Sequence, residues 1–172
     1  MVGIYDFVVN LDWRQILIGG VVTALTLGVR TVVRAPVKAM TEHARAIRWL
    51  SKLSPQTPFG GIWEITWNVT ASRFAEANRD EVRIYRLFRS VTFTTRTELL
   101  DGTPEACVFV GKLVDRTLTG RWYDPKDHER GYYGVFQVRL NGGLRDGRGA
   151  WSGWTNDGAV QSNAMTLRRT SD

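Results

Sequence analysis

From residue 62 onward the chain alternates with a period of two, and its glycines keep step with its largest aromatic side chains. In "LTGRWYDPKDHERGYYGVFQVRL", residues 118–140, Gly120 and Trp122 share one parity before a charged, turn-rich gap. Tyr132, Gly134, Phe136, Val138 and Leu140 share one after it. "GRGAWSGWTNDG" repeats the arrangement with Gly149, Trp151 and Gly153. Successive side chains of a strand point to opposite faces, so each set lies on one face of a sheet. Glycine relieves crowding where a strand bends strongly, and a neighbouring ring fills the space it leaves.

The alternation begins earlier. Trp63, Ile65, Trp67 and Val69 face one way; Glu64, Thr66, Asn68 and Thr70 face the other. "SRFAEANRDE" breaks the pattern and reads as a short helix or a long loop. "VRIYRLFRSVTFTTRTELL", 82–100, is long enough for two strands or one bent strand. Further strand segments follow, separated by the turns "DGTPE", "NGG" and "NDG". Seven or eight short strands in about 110 residues predict a mainly β fold, a small antiparallel up-and-down β-barrel of about eight strands over 59–172.

The N-terminal part is of another kind. Residues 15–29 carry no charge, and residues 16–33 form an apolar run with one arginine. A spanning helix needs about 20 apolar residues, with a range of roughly 17–25. Arg14 and Arg30 are placed to snorkel to opposite interfaces, and Trp13 to anchor at one. A cleaved signal peptide is the rival, opposed by Asp6 and Asp12 in a region that should be basic; a buried core helix is the other. The reading adopted is a transmembrane anchor in 1–35, a linker helix in 36–58 with apolar positions 37, 40, 44, 47 and 50, and the barrel in 59–172. "SPQTPFGG" marks the boundary before the barrel. Gly20, Ala24 and Gly28 fall on one helix face, where small residues let two backbones approach, so they are the expected self-association surface of a homo-oligomer.

Charge sets the orientation. The formal net charge is +6, with seven Lys/Arg against three acids in residues 1–58 and sixteen against fourteen in 59–172. The basic excess in residues 30–52 predicts a single-pass membrane protein with its C-terminal barrel cytoplasmic, and suits anionic lipid headgroups. The near balance of the remainder does not point to long nucleic acid.

Catalysis finds no foothold, and the expectation is a non-enzyme without a cofactor. One cysteine, Cys107, excludes a disulfide framework and reads as a small core residue of a strand. His43 lies on the linker helix and His128 in a hydrophilic loop; no ligand spacing accompanies "DPKD". A ligand site is easier to assemble. An eight-stranded barrel is just wide enough to be filled by side chains or to hold one small ligand. Trp63, Trp67, Trp122, Tyr132, Phe136 and Trp151 have the expected inward parity, mostly as core. Gln161 and Asn163 share a parity with Met165 and Leu167, so one end presents amides while the other is closed. With Tyr132, Tyr133, Arg121 and Arg148 they form the expected mouth, suited to a planar, anionic ligand. For the two arginines simple solvation is an equal reading.

"GGIWEITWNV", "LTGRWYD…GYYGVFQVRL", "GRGAWSGW" and a closing "TLRR", behind a hydrophobic anchor and short linker, resemble the transmembrane β-strand-rich effectors of bacterial cyclic-oligonucleotide antiphage systems (CBASS). The resemblance extends over nearly the whole chain. It implies a minimal β-barrel that binds a cyclic di- or oligonucleotide signal, and a membrane region that oligomerises and disrupts the inner membrane. The commonest members carry two membrane helices; this chain shows one. A lipocalin-like carrier of an apolar molecule and a membrane-tethered interaction module without a ligand are the alternatives.

Overall fold

The computed structural model describes residues 39, 41–53, 58–70, 74–126, 133–154 and 159–171. The apolar run 16–33, with Gly20, Ala24 and Gly28, lies outside the described residues, as do Tyr132 and His128. No helix among the described residues is long and apolar enough to cross a membrane.

Eight strands form a closed barrel in chain order: β1 (Gly61–Asn68), β2 (Ala77–Leu87), β3 (Ser90–Glu98), β4 (Pro104–Val114), β5 (Thr117–Tyr123), β6 (Tyr133–Leu140), β7 (Asp146–Trp154) and β8 (Val160–Ser171). Every pairing is antiparallel, and β1 closes on β8 through pairs such as Ile65↔Leu167 and Trp67↔Met165. The expected up-and-down barrel is therefore the fold. Residues 82–100 resolve into two strands around the tight turn at Phe88 and Arg89.

The glycines do what their parity suggests. Gly111 and Gly120 face each other across β4 and β5. A Cβ on Gly111 would come within 2.7 Å of the Thr119 carbonyl oxygen and 3.2 Å of the Phe136 ring. The Trp122 indole lies over Gly134 and Gly153 in the same way, and donates its Nε1–H to the Ser152 carbonyl at 3.1 Å. Large rings occupy the places where the neighbouring strands have no side chain, which lets a narrow barrel hold several aromatics.

The interior has two halves. At the end where β1 starts, Phe59 is fully buried and packs its ring 4.7 Å from that of Trp63. Arg169 on β8 holds the preceding chain there, donating to the Pro58 and Gly60 carbonyls at 2.9 and 3.0 Å. Ile84, Val91, Leu113, Leu118, Leu140 and Leu167 fill the space around them. Midway, Phe93 stacks on Phe109 at 4.6 Å and Phe136 meets both edge-on. Beyond this aromatic layer no described residue plugs the other end.

A helix, α1, covers residues 41–51. It packs on the outside of the sheet. Thr92, Val108 and Val110 point away from the interior yet are buried, as are Ala44 and Ile47 of α1. Arg48 hydrogen bonds to the Thr94 hydroxyl and its guanidinium lies 5.9 Å from the Tyr85 ring centre. Met40–Asp172 make one compact unit, so this helix belongs with the barrel.

One seam differs from the rest. β2 and β3 pair only through Tyr85↔Thr92, Arg86↔Val91 and Leu87↔Ser90. Beyond those pairs side chains replace the ladder: the Asp80 carboxylate accepts from the Arg96 N–H at 2.6 Å, and the Thr97 hydroxyl donates to Asn78 at 3.2 Å. This explains why the alternation breaks before residue 82. β2 begins at Ala77, but its inward positions there are Asn78 and Asp80, so a strand looks like a polar loop.

Candidate functional site

The open end holds an apolar cavity of about 50 Å³. Its depth is bounded by Phe109, Trp122 and Met165, and its sides by Trp67, Trp151 and Phe74. Val69, Thr95, Thr97, Cys107 and Glu105 complete the wall. Period two along the strands brings these residues together. Trp67 pairs with Met165 across β1 and β8, and Phe109 with Trp122 across β4 and β5. Trp122 and Trp151 meet edge to face with ring centres 5.5 Å apart. Trp151 is fixed from outside, its Nε1–H donating to the Asn68 carbonyl at 3.0 Å. Two indoles held by hydrogen bonds present rigid apolar surface to the cavity.

The electrostatics of this end are acidic. Glu105 is in the wall, and the buried Asp124 follows β5 directly, its Oδ1 accepting from the Lys126 N–H at 2.6 Å. Burial pushes the Cys107 thiol up, and the charges of Asp124 and Glu105 push it the same way. A thiol so placed stays protonated and unreactive. Among the described residues no group of His, Cys, Asp and Glu could hold a metal ion.

The sequence expectation placed Tyr132, Tyr133, Arg121, Arg148, Gln161 and Asn163 at the mouth, and the structure divides those it describes. Gln161 and Asn163 have the inward parity, continuing the line of Met165 and Leu167 toward the open end. Their amides fasten the end of β1: Gln161 accepts from the Thr70 N–H at 3.4 Å, and Asn163 exchanges hydrogen bonds with the Thr70 hydroxyl at 3.3 and 3.4 Å. Arg121, Tyr133 and Arg148 stand on the outer parity and are exposed, so they do not line the cavity. The physical reason is one residue of register: each neighbours an inward residue, Trp122, Gly134 or Gly149, and so faces the other way. Phe74, Thr95, Thr97, Glu105 and Phe109 were missed. Four of them carried a signal in their parity, Thr95 and Thr97 with Val91 and Phe93, Glu105 and Phe109 with Cys107. Phe74 lies outside any strand and carried none.

The described chain is thus an eight-stranded up-and-down barrel closed at one end and lined by tryptophans at the other. Neither a family model nor a curated protein matches it. Its fold is similar to that of EF1p2_mFAP2b bound to DFHBI, at 15% identity and a TM-score of 0.51, covering 66% of this chain and 94% of that one. It is also similar to a redesigned β-barrel, mFAP1, bound to DFHBI (16% identity, TM-score 0.48, 65% and 95% covered). A de novo designed fluorescence-activating β-barrel matches at 13% identity and a TM-score of 0.48, covering 65% and 94%. At such identities the likeness is one of fold alone.

Proposed function

We propose that the open end of the barrel receives one flat ring of a small ligand between Trp67, Trp122 and Trp151, and that the barrel is the sensing part of a membrane-anchored effector. The observation that carries the first half is the tryptophan-lined cavity, open to solvent, at one end of a barrel whose other end is packed shut. Size limits the mode of binding. Drug-sized ligands occupy pockets of about 300–1,000 Å³, well above the 50 Å³ available. A ligand inserts a ring and leaves its remainder across the mouth.

A nucleobase is such a ring, and base–aromatic stacking is worth about 1–3 kcal/mol per base. A cyclic di- or oligonucleotide, the ligand implied by the sequence resemblance, would stack one base and keep its phosphates outside, since Glu105 is in the wall and no Lys or Arg lines the cavity among the described residues. In this reading residues 16–33 anchor the protein in the inner membrane and, through the face of Gly20, Ala24 and Gly28, assemble to disrupt it. A second reading is favoured by the almost wholly apolar lining: an uncharged planar molecule, carried as in a lipocalin.

Tryptophan fluorescence of the full-length protein in detergent, titrated with cyclic di- and trinucleotides and with an uncharged planar aromatic, separates these readings. Saturable quenching by a nucleotide that disappears in Trp151→Ala supports the sensor. Quenching by the uncharged compound alone leaves the carrier. No response to either removes the receptor site altogether.

A further inference from the structure

The closed end of the barrel has a surface unlike the rest, and three turns make it. The β2–β3 turn carries Phe88 and Arg89, with Arg86 just before it. The β4–β5 turn is Asp115–Arg116, preceded by the exposed Lys112 and Val114. The β6–β7 turn carries the exposed Arg145, with Arg139 on the strand before it. Around these turns six bases stand against two acids, Asp115 and Asp146. Among the described residues the opposite end has the reverse balance, with Glu76, Glu98, Asp101, Glu105 and Asp124 against Lys126 near its strand ends. The barrel is charged along its axis, which the near-neutral total of residues 59–172 conceals.

The apolar side chains at this end are arranged against ordinary solubility. Phe88 is 84% exposed and is held at a φ of 53°. A bulky residue in the left-handed region is a strained position, and here the strain presents a phenyl ring to solvent. Arg48 of α1 lies against Tyr85, two residues from the end of β2, and the residues that follow it, Trp49 and Leu53, are 65% and 72% exposed. Lys112, Arg116 and Arg139 border one open concavity with the hydroxyls of Thr117 and Thr119, three bases against the single carboxylate of Asp115, a balance that suits a phosphate.

We infer that the closed end of the barrel is a docking face for an anionic lipid surface, into which Phe88, Trp49 and Leu53 insert while the surrounding arginines meet headgroup phosphates. Aromatic rings at headgroup depth ringed by bases are what such an interface takes up. A soluble acidic partner would satisfy the charges but not the exposed Phe88 at its turn tip, nor Trp49 and Leu53 at the end of α1. Docking of this kind does not depend on the ligand reading. It gives the tryptophan mouth a direction, away from the bilayer and open to the cytoplasm.

The test uses the full-length chain with one fluorescent label of environment-sensitive type. Gly142→Cys puts the label on the β6–β7 turn, and Leu100→Cys puts it on the opposite end, each in a Cys107→Ala background, because Cys107 lines the cavity and is only partly buried. With vesicles containing phosphatidylglycerol, the label at 142 should shift to shorter wavelength and be quenched by spin-labelled lipid, while the label at 100 should do neither. Combining Arg89→Glu, Arg139→Glu and Arg145→Glu, all exposed, should weaken the response by at least about tenfold and leave the thermal melt unchanged. Equal responses at both positions, no response at 142, or the same response with phosphatidylcholine alone would overturn the inference. So would an equal shift on adding a DNA oligonucleotide without lipid, which would make the face a general polyanion site. Failure of ligand binding at the mouth would leave this outcome untouched.

Discussion

The two ends of this barrel are written in the same period-two pattern and are finished in different ways. At the closed end the inward positions are Trp63, Ile84, Val91, Leu113, Leu118, Leu140 and Leu167, and the chain itself supplies Phe59 as the last piece. At the open end the inward positions include Trp67, Thr95, Thr97, Glu105, Cys107 and Trp151, and among the described residues none fills the space between them completely. The lesson is a division of labour along one axis. Branched aliphatic side chains and a buried plug hold the fold, while rigid rings and short polar side chains leave a cavity between them.

The sharpest way to break that comparison is to shorten the same residue type at each end. Trp63→Ala removes a fully buried indole and should cost about 3–5 kcal/mol in urea denaturation. Trp63→Phe should cost far less, because it keeps the ring against Phe59 and removes a buried Nε1–H that has no acceptor. Trp151→Ala removes a half-buried ring, an edge-to-face contact and one hydrogen bond, and should cost only about 2 kcal/mol. Equal losses from Trp63→Ala and Trp151→Ala would show that the open end is as much core as the closed one.

Smaller effects sharpen the picture. Asn163→Ala frees Thr70 at the rim and should lower stability by about 0.5–1 kcal/mol, as expected for an exposed neutral hydrogen bond. Gln161→Ala, which removes the acceptor of the Thr70 N–H, should show faster hydrogen exchange at that amide. A protection pattern identical to wild type would mean that the amides do not hold the end of β1. At the seam, burial pushes the Asp80 carboxyl above 3.8, more than the backbone N–H groups of Arg96 and Glu81 and the charge of Arg96 draw it down. The folded protein then holds the proton more tightly than the unfolded chain. Stability from this group is fully present below 3.8 and is lost as pH rises through the folded value. Asp80→Asn should flatten the pH dependence of the urea midpoint in the region just above 3.8. Parallel profiles for the two proteins would remove Asp80 as the source.

Most of the barrel was legible because alternation reports facing directly. The inward parity of Trp63, Trp67, Trp122, Phe136, Trp151, Gln161 and Asn163 follows from counting in twos once a strand is recognised. Two things were not legible. The start of β2 hides because its inward residues at the seam are Asn78 and Asp80, which satisfy hydrogen bonds that a full ladder would have made. The mouth was overdrawn because Arg121, Arg148 and Tyr133 stand beside inward residues in sequence, and adjacency in a strand means opposite faces. The packing of α1 was half legible. Ala44 and Ile47 carry the spacing of a buried stripe, but the surface they cover, Thr92, Val108 and Val110, is on the outside of a barrel and needs the third dimension to appear.

The closure of β1 on β8 has a kinetic consequence. Seven of the eight pairings join strands that follow each other directly, and the eighth joins residues such as Thr66 and Thr166, whose hydroxyls meet at 2.6 Å across 100 positions of sequence. The short-range hairpins can form while the chain is still open, whereas the closing pair bears the entropy of drawing in the longest loop. Assembly therefore passes through a curled, unclosed sheet with two bare edges, slow to finish and able to recruit a strand from another molecule. A barrel with no edge in its final form meets its greatest risk of aggregation in the moment before the ring shuts.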